Sequence, residues 1–115
     1  MRLAIGSLLL MIFTSCNSAD TNDQEGINGI DDLKTRQYAI QGQQLYLQHC
    51  SNCHQEDGTG LNRLIPPLRQ ADYMMPGNNN LTPLEIAQIG TYIYNIWGND
   101  YGLITPEKVN EALNQ

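Results

Sequence analysis

Hydrophobic and polar residues divide the chain into stretches of different periodicity. A mainly apolar run fills residues 3–13, and a polar, glycine-containing stretch follows over residues 17–32. From about Thr35 to Cys50, apolar and small residues recur at spacings of three and four, which predicts a helix, and residues 82–97 predict a second. No strand-rich alternation is present. The pattern therefore predicts an all-α fold, with three or more helices.

The second of these helices carries clear start signals. Thr82 is a natural N-cap, Pro83 suits the first helical position, and Glu85 completes a capping box. Leu81 and Ile86 are spaced to form a hydrophobic staple. The apolar stripe of this helix consists of Ile86, Ile89, Ile93 and Trp97, with Tyr92 alongside, and Gly98 is predicted to end it. Thr105-Pro106 repeats the cap-then-proline start and predicts a short terminal helix to about Leu113.

The first 16 residues have the form of an export signal. Met1-Arg2 is a short positive region, and the apolar run of 11 residues suits a signal peptide better than a membrane span. Thr14-Ser15-Cys16 resembles the lipobox of bacterial lipoproteins, although Phe13 departs from its usual Leu, Val or Ile. We expect a signal peptide over residues 1–15, lipidation at Cys16 and a flexible tether over residues 16–34. An ordinary cleaved signal is the alternative.

Five residues, Cys50-Ser51-Asn52-Cys53-His54, carry the chemistry. C-x-x-C-H is the attachment motif of a c-type haem, so we expect one covalent haem c. Thiols three residues apart lie on one side of a helical turn and can add to both vinyl groups, while His54 offers an axial ligand to the iron. A thioredoxin-like redox pair would need a βαβ context. A zinc site would need more ligands than His49 supplies.

Charge and cysteine use narrow the class of partner. The 115-residue chain has a net charge of −6 and 3 cysteines, and without residues 1–15 it has 5 basic and 12 acidic side chains. Such an acidic surface argues against nucleic-acid binding and favours a partner with a basic or neutral docking patch. Lipidation would use Cys16 and haem attachment would use Cys50 and Cys53, so no disulfide framework is expected. Covalent haem attachment outside the cytoplasmic membrane agrees with the leader, and we expect a lipid-anchored protein on the periplasmic side of a bacterial membrane.

Gly42-Gln43-Gln44-Leu45-Tyr46 followed by C-x-x-C-H resembles the N-terminal helix of class I cytochromes c. The resemblance implies that Gly42 and Tyr46 pack on the C-terminal helix, at Ile89 and Tyr92. Residues 81–99 resemble a bacterial subgroup that includes electron donors of terminal oxidases and domains fused to copper nitrite reductases. The family domain is expected over residues 35–104, and residues 105–115 form a short additional helix.

Further site residues follow from the same resemblance. It implies that the Pro66 carbonyl accepts the other imidazole N–H of His54 and that Leu68 packs on the haem. Met74 and Met75 are the remaining candidates for the second axial ligand, and Met75, which precedes Pro76 as in the family, is chosen over Met74. Gln55 departs from the glycine that the family usually has after the haem histidine.

The spacing between the two expected iron ligands is short. Met75 comes only 21 residues after His54, and a stretch of a few tens of residues that normally wraps the lower haem edge is absent. Such a chain can span up to about 70 Å, so reach is no obstacle. The domain would expose more haem or close that edge by dimerising. An internal deletion or an incomplete gene model would produce the same spacing.

With both axial positions filled, the expected function is one-electron transfer rather than catalysis. The partners would be redox proteins, such as a terminal oxidase, a nitrite reductase or a dehydrogenase. A further possibility is a haem subunit bound permanently within a dehydrogenase or reductase complex. The alternative is a five-coordinate haem protein that binds small ligands or acts as a peroxidase, which would apply if Met75 does not reach the iron.

Overall fold

The computed structural model describes residues 21–68, 80–97 and 100–115, with side chains from residue 25 onward. These residues form five helices, which are α1 (Thr21–Asn28), α2 (Leu33–His49), α3 (Ser51–His54), α4 (Pro83–Asn95) and α5 (Pro106–Leu113). Within these ranges the β structure is limited to one isolated bridge between Leu61 and Ile65. The predicted all-α fold is therefore confirmed. No helix among the described residues has both the length and the apolar character needed to cross a membrane.

The ends of the long helices are fixed by side chains. The Asp32 carboxylate accepts the Thr35 amide at 2.7 Å and begins α2. Thr82 and Glu85 form the predicted capping box at the start of α4, with the Glu85 carboxylate 2.7 Å from the Thr82 amide. These bonds satisfy backbone donors that have no partner within a helix. The predicted capping box therefore begins α4 as expected, whereas α2 begins at a cap, Asp32, that the sequence analysis placed in the tether.

Helices α2 and α4 cross with their backbones in close contact at Gly42. A Cβ atom at Gly42 would lie 2.5 Å from the Gln88 carbonyl carbon and 2.9 Å from Tyr92 Cβ, so only glycine fits there. Tyr46, Ile89 and Tyr92 belong to the same buried cluster. The crossing predicted from Gly42 and Tyr46 is confirmed. Burying this apolar surface is the main source of stability that these two helices share.

Helix α4 ends earlier than the sequence analysis predicts. Its last residue is Asn95, whose side-chain amide donates to Thr91 O at 2.7 Å and to Gly102 O at 2.8 Å. The chain then turns at Trp97, whose φ is +54°. Gly98, the predicted stop, lies outside the described residues. The apolar stripe continues past the helix end because Trp97 still packs against the core from this turn.

Helix α1 differs from the flexible tether expected over residues 16–34. Thr21–Asn28 is helical, and Ile27 is 1% exposed within the core cluster that also holds Ile96. Arg36 Nε donates to Ile30 O at 2.7 Å and holds the connection between α1 and α2. Two isoleucines, Ile27 and Ile30, in a polar run give no sustained periodic signal, which is why the sequence analysis missed this contact. The boundary at residue 15 stays a prediction, since residues 1–20 are outside the described ranges.

Helix α5 and the segment before it pack on the other side of α4. The Thr91 hydroxyl accepts the Ile104 amide at 3.1 Å, and Asn95 accepts the Gly102 amide at 2.8 Å. Thr105 begins α5 by accepting the Lys108 amide, and Val109 is buried. The predicted terminal helix is therefore present, and α4 is covered on two sides.

Candidate haem attachment site

The two thiols of the C-x-x-C-H motif lie on one short helical turn. Cys50 is the C-cap of α2 and the N-cap of α3. Its carbonyl oxygen accepts the Cys53 amide at 3.2 Å and the His54 amide at 2.9 Å. Both cysteines are free thiols; Cys50 is half-buried against the core and Cys53 is exposed. Burial raises the pKa of the Cys50 thiol, and the neighbouring Cys53 raises it further. The turn therefore presents two thiols, one at the core and one at the surface.

His54 is oriented by a backbone carbonyl. Its Nδ1 lies 3.0 Å from the Pro66 carbonyl oxygen, which is the contact that the sequence resemblance implies. A carbonyl oxygen can only accept, so this bond places the imidazole proton on Nδ1 and leaves the Nε2 lone pair free. Neutral imidazole with a fixed Nδ1–H is the form that ligates a metal well. The residues present thus fit a c-type haem, with Cys50 and Cys53 for the thioether bonds and His54 for the iron.

The backbone after His54 turns sharply at Gln55. Its φ of 67° and ψ of 160° fall in a region that is otherwise used by glycine. The fully buried Tyr46 hydroxyl donates to the Gln55 carbonyl at 2.6 Å, and the Gly58 amide donates to it at 3.2 Å. This is the position where the sequence analysis notes a departure from the family's glycine. A donor on α2, nine residues earlier in the chain, therefore holds a backbone conformation that glycine would adopt by itself.

An aromatic cluster lies beneath this turn. The rings of Tyr46, Tyr92 and Trp97 have centroid distances of 5.5–5.7 Å, and the two contacts of Trp97 are edge-to-face. Gly58 (φ +70°) lies on the Trp97 indole, since a Cβ there would be 2.5–3.0 Å from three ring atoms. The cluster thereby connects α2 and α4 to the loop after the haem motif.

Residues 55–68 form one hydrogen-bonded unit, which we call the proximal loop. The Gly60 amide donates to His54 O at 2.9 Å, and the Leu68 amide donates to Gly58 O at 2.8 Å. The bridge between Leu61 and Ile65 closes the turn between them. Leu68 is half-buried against the core cluster. The loop thus returns the chain to His54 and delivers the Pro66 carbonyl to it.

Three of the predicted site residues lie outside the described ranges. These are Met75, its alternative Met74, and Cys16. The structure brings Cys50, Cys53, His54, Pro66 and Leu68 together at one end of α2. Within the described ranges no three His, Cys, Asp or Glu side chains group as a metal site.

The sequence analysis missed two contacts at this site. It placed Tyr46 on the helix crossing but gave its hydroxyl no role, and it placed Trp97 on the apolar stripe without a contact to the loop. The sequence signal for the Tyr46 contact was a tyrosine on α2 together with a residue other than glycine, Gln55, after the haem histidine. The signal for the second was Gly58, since a glycine in this turn leaves room for a ring.

Comparison with known proteins agrees with this geometry. Residues 39–73 match the family model for cytochrome c, a range that takes in Gly42, Tyr46, the haem motif and the Pro66 turn. This part of the chain thus belongs to the cytochrome c family. Its cofactor is covalently bound haem c, and its chemistry is electron transfer through that haem.

A curated relative is similar over part of its length. The cytochrome c subunit of the quinone alcohol dehydrogenase of Gluconobacter oxydans (strain 621H) is 28% identical over 89 residues, covering 51% of this chain and 19% of the relative. The cytochrome chain thus spans about a fifth of that protein. The 89 aligned positions include only 51% of the 115 residues of this chain. Roughly a third of those positions are therefore gaps in this chain.

Proposed function

We propose that this cytochrome is a lipid-tethered one-electron carrier on the periplasmic side of a bacterial membrane, and not itself an enzyme. The observation that carries the proposal is the bond between His54 Nδ1 and the Pro66 carbonyl, 3.0 Å long, beside two thiols on one turn. Bound haem c supplies a reversible one-electron couple at its iron. The chain's own residues hold the group covalently, orient the imidazole and keep its proton on Nδ1.

The second half of the proposal is that Met75 fills the other axial position. A methionine opposite a histidine raises the potential and leaves no vacant position for substrate. Such a site can exchange electrons but does not bind oxygen or peroxide. Cys16, if lipidated, would keep the domain beside its redox enzyme and so raise the effective concentration of the pair.

For the partner, we propose a membrane or periplasmic redox enzyme of the oxidase, nitrite reductase or dehydrogenase type. The dehydrogenase relative supports the last of these, because it is a cytochrome subunit of such a complex. Glu56 and Asp57 are exposed beside the haem motif, and the chain is acidic overall. A basic patch on the partner would therefore speed docking at low ionic strength.

The axial ligand can be tested by substituting Met75, with its neighbour Met74 as the matched control. Met75→Ala should lower the reduction potential and open the iron to carbon monoxide, whereas Met74→Ala should leave both unchanged. The measurements are a redox titration and a carbon monoxide difference spectrum of the holo protein. Wild-type spectra and potentials in both variants would contradict the methionine assignment.

The anchor requires a separate experiment. We expect the full chain, expressed in a bacterium that processes lipoproteins, to fractionate with membranes and to carry a fatty-acyl label. Cys16→Ser should abolish the label and release the holo protein to the periplasmic fraction. A Cys16→Ser variant that stays with the membrane would contradict a lipid tether while leaving the electron-carrier proposal intact.

A further inference from the structure

Gln55 occupies a backbone conformation that needs outside support. Its φ of 67° and ψ of 160° belong to a region that residues with a Cβ seldom adopt. Such a conformation persists only where the surrounding structure enforces it. Because Gln55 follows His54 directly, any relaxation at this peptide also moves the iron-ligating residue.

The support comes from Tyr46. Its side chain is 0% exposed, its ring is held against those of Tyr92 and Trp97, and its hydroxyl donates to the Gln55 carbonyl at 2.6 Å. A rigid, buried donor of this kind fixes the direction of the carbonyl. The Gly58 amide, 3.2 Å away, is the second donor to the same oxygen.

The restraint at Gln55 continues to His54 through the proximal loop. Gly58 is covered by Trp97 and accepts the Leu68 amide at 2.8 Å, and Gly60 donates to the His54 carbonyl at 2.9 Å. Between these two attachments lies Pro66, whose carbonyl accepts the imidazole proton. The position of that acceptor therefore depends on how firmly the start of the loop is held.

We propose that Tyr46 is a positioning residue for the axial histidine. Its hydroxyl holds the Gln55 peptide in the conformation that glycine would adopt unaided, and thereby fixes the loop that places the Pro66 carbonyl against His54 Nδ1. The role goes beyond packing at the helix crossing. It rests on the proposed function, because the property that it controls is the strength of an iron ligand.

The first test is Tyr46→Phe in the holo protein, which removes the hydroxyl and keeps the ring. In the ferrous low-spin state, proton NMR should show the His54 Nδ1–H exchanging with solvent about fivefold faster, the loss expected for one net hydrogen bond. The reduction potential should rise, because an imidazole with a weaker Nδ1–H bond donates less to ferric iron. Tyr38→Phe, on the same helix, is the matched control and should leave both values unchanged.

The second test removes the need for the tyrosine. Gln55→Gly relieves the backbone strain at this position. Tyr46→Phe in that background should therefore change the exchange rate of the His54 Nδ1–H less than half as much as it does in the wild type. Gln55→Ala keeps a Cβ at the same φ, so the full effect of Tyr46→Phe should return in that background. Equal effects of Tyr46→Phe in the Gln55→Gly and wild-type backgrounds would overturn the proposal, as would a loss of stability with unchanged exchange and potential.

Failure of this inference differs from failure of the proposed function. If the wild-type holo protein gives no reversible potential and no low-spin ferrous spectrum, the electron-carrier proposal fails. If the wild type gives both and Tyr46→Phe shifts neither exchange nor potential, only the role of Tyr46 is lost.

Discussion

The α2–α4 crossing and the proximal loop each contain a position whose geometry favours glycine, but they meet that requirement in different ways. At the crossing, Gly42 itself allows the Gln88 carbonyl to approach. In the loop, Gln55 takes a glycine-like conformation, and the Tyr46 hydroxyl holds it there. The first solution is visible in the sequence as a glycine in a helical pattern. The second is hidden in a contact between residues nine positions apart.

The largest expected effect is at the crossing. Gly42→Ala would force a methyl group into the Gln88 carbonyl and Tyr92 Cβ, so the helices must separate and the domain should lose about 3 kcal/mol of unfolding free energy. Urea unfolding of the holo protein followed by circular dichroism measures this loss. Gly26→Ala is the control, because the new methyl would meet only Ile96 Cδ1 at 3.5 Å. A loss below about 1 kcal/mol for Gly42→Ala would contradict the close backbone contact of α2 and α4 at this position.

Two glycines with a positive φ, one in the proximal loop and one before α5, separate strain from packing. Gly58 and Gly102 have φ of 70° and 74°, but a Cβ at Gly58 meets the Trp97 ring, whereas one at Gly102 has no atom within 4 Å. Gly102→Ala should cost about 1 kcal/mol from strain alone, and Gly58→Ala about 2 kcal/mol more. Denaturant unfolding curves of the two variants, recorded under the same conditions, measure this difference in stability. Equal losses would show that Trp97 does not rest on the loop.

A smaller effect is expected at the start of α4. Thr82→Ala removes the cap on the Glu85 amide and should cost about 1 kcal/mol, because that backbone donor loses its partner within the protein. Thr59→Ala, at an exposed threonine whose hydroxyl donates to Asp57 within the loop, should cost less than half as much. If both substitutions cost the same, the capping box does not set the start of α4.

The smallest effect is a pH dependence of the same cap. Hydrogen bonds from the Thr82 amide and hydroxyl lower the pKa of Glu85 below its usual 4.5. A lowered folded-state pKa means that the stabilisation is complete above pH 4.5 and is lost as the pH falls through the lower value. Glu85→Gln should therefore differ most in stability from wild type near neutral pH and converge with it in acid. A gap that stays constant down to acidic pH would contradict this sign.

Much of the fold could be predicted because its signals are local or periodic. The cap at Thr82, the stripe on α4, the glycine of the crossing and the C-x-x-C-H turn each act within a few residues. The contact of His54 with Pro66 came from resemblance to the family and is present. Helix α1 was not predicted because its anchors, Ile27 and the following Ile30, stand in a polar run. The bond from Tyr46 to Gln55 could not be predicted because it depends on how two elements meet in space.

The most direct test of the account is the absorption spectrum of the holo protein, produced with a c-type maturation system. Ferric and ferrous forms would be recorded with and without carbon monoxide. A methionine–iron charge-transfer band in the ferric state, and a ferrous spectrum that carbon monoxide does not change, are the predicted results for a six-coordinate electron carrier. A high-spin spectrum that shifts with carbon monoxide would contradict it and would favour a five-coordinate protein that binds small ligands.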